Sequence, residues 1–230
     1  MQEMPKKIVV QRTTRLHTKE AAQLFYGRDE DDHEKIIGLV AFAKKMQIID
    51  AAAVQDDPYA DYFLIEIEKR IKECDRKLDD YLSELGGRYA IDDINYKSEK
   101  TLDLTTQFSS PAANLALSLL QKSDKLFLLI IALTHIAVLT IQDKFKMMRE
   151  VKRLIRSTFL SFRGYRYLGI TRKDVELMTV RGIQAKELMQ VELSQEILNR
   201  TNRANVAKPI RTARDDSMFK MTTNKKGKNE

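Results

Sequence analysis

The sequence is poor in residues that staple or punctuate a chain. Among 230 residues there is one cysteine, Cys74, with no tryptophan, four prolines and eight glycines. A lone cysteine excludes an internal disulfide framework, so nothing points to an oxidising compartment and the cytoplasm of a bacterial-type cell is expected. The opening stretch MQEMPKKIVVQR has charge but no apolar run suited to a signal peptide. Scarce Gly and Pro beside abundant Leu, Ala, Lys and Glu exclude collagen-like repeats and wholesale disorder, and predict a mainly helical chain. Long hydrophobic runs are scarce too. Residues 126–141 form a sixteen-residue run in which only Thr134, His135 and Thr140 are polar. A bilayer asks for about 20 apolar residues, so this run reads as a helix at the centre of a domain, not a membrane span, with His135 as a hydrogen-bonded core residue.

A strongly basic body is also lacking. The formal charge is +7, from 40 Lys+Arg against 33 Asp+Glu, but residues 199–230 hold nine of those bases and three acids. That leaves +6 in a tail expected to be disordered and +1 in the rest. The tail suits nonspecific contact with DNA. Two basic concentrations remain in the body, residues 5–28 with six bases and one acid, and residues 142–173 with ten and two. Either can meet phosphate, although such runs also serve as solvated faces.

Residues 1–198 read as a single mainly helical domain. Residues 6–17 form a β-branched strand, with Thr18 as an N-cap opening a helix that runs to about Tyr26 and is closed by Gly27. A second helix is expected from about Glu34 to Ala53. Asp56-Asp57-Pro58 then starts an amphipathic helix over 57–85, with Phe63, Ile67, Ile71, Cys74, Leu78 and Leu82 on one side and Gly86-Gly87 as its stop. After a polar connection, residues 101–108 alternate cleanly as a strand. Ser110-Pro111 opens a helix to about Leu120, and Ser123-Asp124 caps the next, over the apolar run. A basic amphipathic helix follows from Gln142 to Leu160, and a last one from Arg172 to about Leu198.

Residues 13–25, TTRLHTKEAAQLF, align without gaps on residues 105–117, TTQFSSPAANLAL. Strand-helix-helix thus occurs twice, near 6–54 and 101–141, about 92 residues apart. In the ribbon-helix-helix fold two such units pair their strands antiparallel, and the ribbon enters the DNA major groove. The ribbon forms within one chain if the repeat folds on itself, or between chains of an obligate dimer. With Leu16 and Phe108 turned inward, period two sends Gln11, Thr13 and Arg15 outward on the first strand, and Asp103, Thr105 and Gln107 on the second. Gln suits adenine, Arg suits guanine and Thr suits bases or the thymine methyl, so Gln11, Thr13, Arg15, Thr105 and Gln107 are the base-reading candidates. A solvated strand face uses the same residue types.

No enzyme motif is present. There is no phosphate-cradling glycine loop, no G-x-S-x-G and no paired Cys or His for zinc, so neither catalysis nor a cofactor or metal is expected. The contiguous Asp29-Glu30-Asp31-Asp32-His33 does not reproduce an exonuclease site, whose carboxylates come from separated motifs. Cys74 reads as core. Phe162, Tyr165 and Tyr167 with Arg163 and Arg166 suit either stacking on single-stranded bases or a plug between helices.

The blocks LHTKEAAQLFYGR (16–28), IIGLVAFA (36–43), DDPYADYFLIEIE (56–68), TTQFSSPAANLAL (105–117) and SFRGYRYLGITR (161–172) together resemble the AcaB family of transcriptional activators of conjugative plasmids and integrating conjugative elements. The resemblance runs from about Arg12 to Leu198. It implies a ribbon-helix-helix-type DNA-binding activator of conjugative-transfer genes. An activator of that kind is expected to bind double-stranded promoter DNA and recruit RNA polymerase, and repeated operator half-sites would suit a homodimer or homotetramer. One feature departs from that pattern. The N-terminus of the second helix commonly meets a phosphate, yet Asp29 to Asp32 occupy that position. Phosphate contact is therefore expected from Lys6, Lys7, Lys19, Lys152, Arg153 and Arg156. A structural or accessory protein of the conjugation machinery is the alternative.

Overall fold

The computed structural model describes residues 11–28, 36–89 and 100–211. It is mainly helical, with small antiparallel sheets. Within the span expected as one domain, the chain clusters into two compact units. The first comprises residues 1–47 and 66–163, and the second residues 48–65 and 164–230.

In the first unit, β1 (Arg12–Leu16) pairs antiparallel with β4 (Leu102–Thr106). The register sets Arg12 opposite Thr106, Thr13 opposite Thr105, Thr14 opposite Leu104, Arg15 opposite Asp103 and Leu16 opposite Leu102. The ribbon is therefore intrachain. Alternation buries Thr14, Leu16, Leu104 and Thr106 and exposes the residues between them. α1 (Lys19–Tyr26) follows β1, and its cap is the Thr18 hydroxyl, which accepts from the Ala21 N–H at 3.2 Å.

Gly27 ends α1 with φ 78° and begins β2 (Gly27–Arg28), which pairs with β3 (Ile36–Ile37). A Cβ on Gly27 would sit 2.4 Å from the Ile36 carbonyl oxygen, and one on Gly38 2.3 Å from the Gly27 nitrogen. The two backbones touch, and only glycine permits it. Ile36 and Ile37 are thus spent on this pairing, and the helix expected from Glu34 begins later, as α2 (Leu39–Val54). Asp29 to Asp32 lie outside the described residues.

α3 (Pro58–Tyr89) starts at its proline as expected but runs through Gly86 and Gly87. A helical glycine costs about 1 kcal/mol, but it terminates a helix by turning left-handed, and neither residue has a positive φ. α4 (Pro111–His135) is likewise continuous where two helices were expected. Neither Ser123 nor Asp124 caps a new helix. The Ser123 hydroxyl donates to the Leu120 carbonyl at 2.8 Å, and Asp124 is bonded elsewhere. The second strand is therefore followed by one long helix, not a helix pair. His135 is exposed in the last turn of α4 and is not a core residue. Among the described residues, no helix is long and apolar enough to cross a membrane.

α5 (Ile141–Phe159) is capped by Thr140, which accepts from Asp143 N–H at 3.1 Å, and buries Met148, Val151, Ile155 and Phe159. Phe159 stacks on Phe42 with ring centroids 5.5 Å apart. Lys122 on α4 reaches Asp75 and Asp79 on α3, and Tyr81 on α3 donates to Glu150 on α5 at 3.0 Å. Cys74 is buried, and burial pushes its thiol up to about 11.

The second unit is organised by charge. Asp57 caps α3, accepting from Tyr59 N–H at 2.9 Å and Ala60 N–H at 3.2 Å, and its other oxygen accepts from the Tyr165 hydroxyl at 2.9 Å. Arg172, 1% exposed, donates to Asp56, to Asp61 and to the Ile197 carbonyl. Arg200 forks onto Asp56, and the Arg203 Nε is shared between both Asp61 oxygens at 3.0 Å. The single helix expected over 172–198 is three: α6 (Arg172–Glu176), α7 (Val180–Met189) and α8 (Gln195–Leu198). Met178 (φ 49°) and Gln190 (φ 53°) turn left-handed and break it, while Thr179 and Ser194 cap the next segments. Residues 199–211, expected within the disordered tail, are held by Arg200, Arg203, the buried Ala204 and the Arg211 N–H, which donates to Val54 at 2.9 Å. Residues 212–230 lie outside the described residues.

Candidate nucleic-acid interface

The outer face of the β1–β4 ribbon presents Gln11, Thr13 and Arg15 beside Asp103, Thr105 and Gln107, all exposed. Thr13 lies directly opposite Thr105. The Arg15 Nε donates to Asp103 Oδ1 at 2.6 Å and its terminal nitrogen to Oδ2 at 3.1 Å. This hydrogen bond, ahead of the charge of Arg15, holds the Asp103 carboxyl below the usual carboxylate range.

Two features that sequence reasoning passed over fix the ribbon on the helices. Arg12, half-buried on the inner side, donates to Ser118 Oγ at 3.2 Å and to Gln121 Oε1 on α4, while Gln121 donates to the Thr14 hydroxyl at 3.3 Å. Period two already turned Arg12 inward, and an inward arginine needs such partners. The second is Asp124, 1% exposed at the middle of α4. Its carboxylate accepts from His17 N–H (2.8 Å), His17 Nδ1 (2.9 Å), Thr18 N–H (2.9 Å) and Thr18 Oγ1 (2.6 Å). One carboxylate therefore clamps the junction between β1 and α1, and the Thr18 that caps α1 is itself oriented by Asp124. Its sequence neighbours, Gln121, Lys122, Ser123 and Lys125, gave no local sign of that burial.

Of the expected phosphate contacts, Lys19 is exposed on α1, and Lys152, Arg153 and Arg156 share α5. With Lys144, Arg149 and Phe145 the α5 residues line a groove of about 690 Å³ whose acid is Glu20, in the first turn of α1. The basic face of α5 thus adjoins the helix that leaves β1. Lys6 and Lys7 lie outside the described residues.

The aromatic cluster is divided between structural roles. Tyr165 is buried against Phe63, edge to face at 5.5 Å, and Tyr167 donates to Gln55 at 3.0 Å. Phe162 tilts on Phe42. Among the described residues, no three His, Cys, Asp or Glu gather to hold a metal ion.

No curated protein matches the sequence. A solved structure, selenomethionine-containing AcaB from uropathogenic E. coli, is similar in fold, with a TM-score of 0.61 at 13% identity over 88% of this chain and 100% of that one. The profile of the family described as "Transcriptional regulator AcaB" matches residues 5–211, which takes in residues 199–211 as well as the helices before them. With all but the two ends of its sequence inside that match, the chain belongs to the AcaB family of transcriptional regulators.

Proposed function

We propose that the chain is a sequence-specific, duplex-DNA-binding activator of conjugative-transfer genes, and that the β1–β4 ribbon reads the major groove in ribbon-helix-helix fashion. The observation that carries this reading is the intrachain antiparallel ribbon, whose exposed face offers Gln11, Thr13, Arg15, Thr105 and Gln107 to base edges. A major groove about 12 Å wide admits a two-stranded ribbon. The register adds support. Thr13 and Thr105, superposed by the internal repeat, are the residues that face each other, as two strands related by a local two-fold would place them. One chain then carries a complete reading head.

Lys19, Lys152, Arg153 and Arg156 would hold the flanking backbone, and Lys6 and Lys7, which precede β1 in the sequence, are proposed as further phosphate contacts. Membership of a regulator family favours DNA as the target, and an activator needs a protein partner, here RNA polymerase. Exposed Leu177, Met178 and Val180 in the second unit suit such a partner, or the further copies of a homodimer or homotetramer.

Anisotropy titrations with promoter fragments against random duplex test the reading. Wild-type protein prefers one promoter sequence at physiological salt, and Gln11→Ala or Arg15→Ala removes about ten-fold of that preference each. No preference for any duplex, or a preference untouched by ribbon substitutions, overturns it.

A further inference from the structure

Arg156 is a half-buried cation whose Nε is closed off from solvent and bonded to nothing. It lines a small cavity of about 180 Å³ in the first unit, together with Arg28 at the end of β2, Gln23, Gly27 and Ile36. The described residues around this cavity include no acid. Burial, and then the like charge of Arg28, pull the Arg156 guanidinium below its ordinary value. Arg28 and Arg156 line one cavity, and their like charges repel each other until an anion comes between them. Both are arginines, whose planar donor forks match a tetrahedral oxyanion in a way that a lysine ammonium does not. Gln23 lines the same cavity. Gly27 keeps the wall open, because any side chain there would strike the Ile36 carbonyl at 2.4 Å.

We propose that Arg28 and Arg156 form a binding notch for a phosphoryl group, with Gln23 as an additional donor. Arg156 is also a wall of the α5 groove that holds Lys144, Arg149, Lys152 and Arg153, so the notch adjoins a cationic track. The phosphoryl group is either a backbone phosphate of the duplex or the phosphate of a small free ligand. The first source rests on the DNA-binding reading, and the second does not.

The test uses the full chain, inorganic phosphate and a duplex of random sequence. The wild-type melting temperature rises saturably with inorganic phosphate, beyond the rise in chloride at matched ionic strength. Arg28→Gln and Arg156→Gln lose the saturable part and keep the general salt effect, while Lys125→Gln, on an exposed residue of α4, behaves as wild type. Melting in chloride checks that each variant folds. Arg156→Lys keeps the charge without the fork, weakens phosphate several-fold, and serves if the glutamine variant does not fold.

Salt titrations of duplex binding separate the sources. For a backbone phosphate, either arginine variant lowers the slope of log affinity against log salt by about 1, and inorganic phosphate competes with duplex. For a free ligand, the slope is unchanged and phosphate binds while duplex is held. A wild type with no saturable phosphate effect, together with unchanged salt slopes in both variants, overturns the notch. Duplex binding measured in the same titrations then stands or falls with the ribbon residues instead.

Discussion

Across the outer face of the ribbon, Arg15 closes on Asp103 through two parallel hydrogen bonds. In the free protein that carboxylate occupies the donor fork that a guanine edge would occupy in a complex. Asp103 is then a competitor for Arg15. Asp103→Asn is expected to raise affinity for random duplex and steepen its salt dependence, narrowing the gap between promoter and random DNA. Arg15→Ala narrows the gap from the other side, by weakening promoter binding. Paired anisotropy titrations read both, and an Asp103→Asn protein with unchanged random-duplex affinity removes the competition.

The second unit has a charged centre where a smaller hydrophobic core would be ordinary. Arg172 is 1% exposed and Asp61 fully buried, so removing Arg172 leaves Asp61 to Arg203 alone, Asp56 to Arg200 alone, and takes the guanidinium donor from the Ile197 carbonyl. Arg172→Leu should cost about 3 kcal/mol, the loss of charge-assisted bonds at a centre that Arg200 and Arg203 still neutralise. Urea unfolding gives the total, and faster amide exchange over residues 197–204 locates it. Exchange that is faster in α4 and unchanged there would place the effect elsewhere.

Acid should act on the same centre in two directions. Burial pushes the Asp56 carboxyl up, but the bond and charge of Arg200 with the charge of Arg172 outweigh it and hold it below 3.8. Its stabilisation is therefore complete above its unfolded value and is lost as pH falls through the lower folded value. Asp57 is pushed up by burial, so its ionised form costs stability, and protonation relieves that cost as pH falls through the raised value. Stability should hold or rise as pH falls from neutrality through the raised Asp57 value, then drop below 3.8. Asp56→Asn, less stable at neutral pH, flattens the acid limb in pH-dependent urea melts.

The clamp between β1 and α1 separates cap from acceptor. Thr18→Ala removes one N-cap bond and should cost about 1 kcal/mol. Asp124→Ala leaves the His17 and Thr18 donors unsatisfied in a buried site and should cost about 3 kcal/mol. A double variant less destabilised than the sum, measured in a thermodynamic cycle, shows that the two act as one unit. Strict additivity would mean that Thr18 caps α1 without help from Asp124.

Cys74 should resist thiol reagents in the folded protein from pH 7 to 9, because a thiol pushed up to about 11 holds little thiolate in that range. Labelling then tracks unfolding, and reaction as fast as a free thiol in native buffer contradicts the buried placement.

Much of this was legible where the determinant is local. The alternation over 101–108, the Thr18 cap and the proline start of α3 are signals within a few residues, and each element stands where they put it. The exposed ribbon set followed from period two alone. Signals whose meaning depends on a distant partner were misread. Ser123-Asp124 has the chemistry of a cap, but Asp124 bonds to residues 106 and 107 positions away, and α4 continues. The left-handed turns at Met178 and Gln190 fall on residue types that carry no turn signal. The Arg15–Asp103 pair needed the register, which strand patterns do not fix. The charged centre joins Asp61 to Arg172 across 111 positions. Asp56, Asp61 and Arg172 lie in two blocks of family resemblance, residues 56–68 and 161–172, while Arg200 and Arg203 reach the same centre from beyond Leu198.

Because the ribbon is made within one chain, it escapes a constraint that binds ribbons made by two. A symmetric pair of strands must carry the same residue at the same place, so a cation on one outer edge is repeated on the other. Here Arg15 faces Asp103, where a second copy of β1 in this register would place Gln11, so identical strands could not supply the pair. The two edges can diverge by separate mutations, one becoming more basic while the other keeps an acid. A single polypeptide can thereby recognise a lopsided target, and the sheet exists at any protein concentration, without waiting for a second copy to complete it.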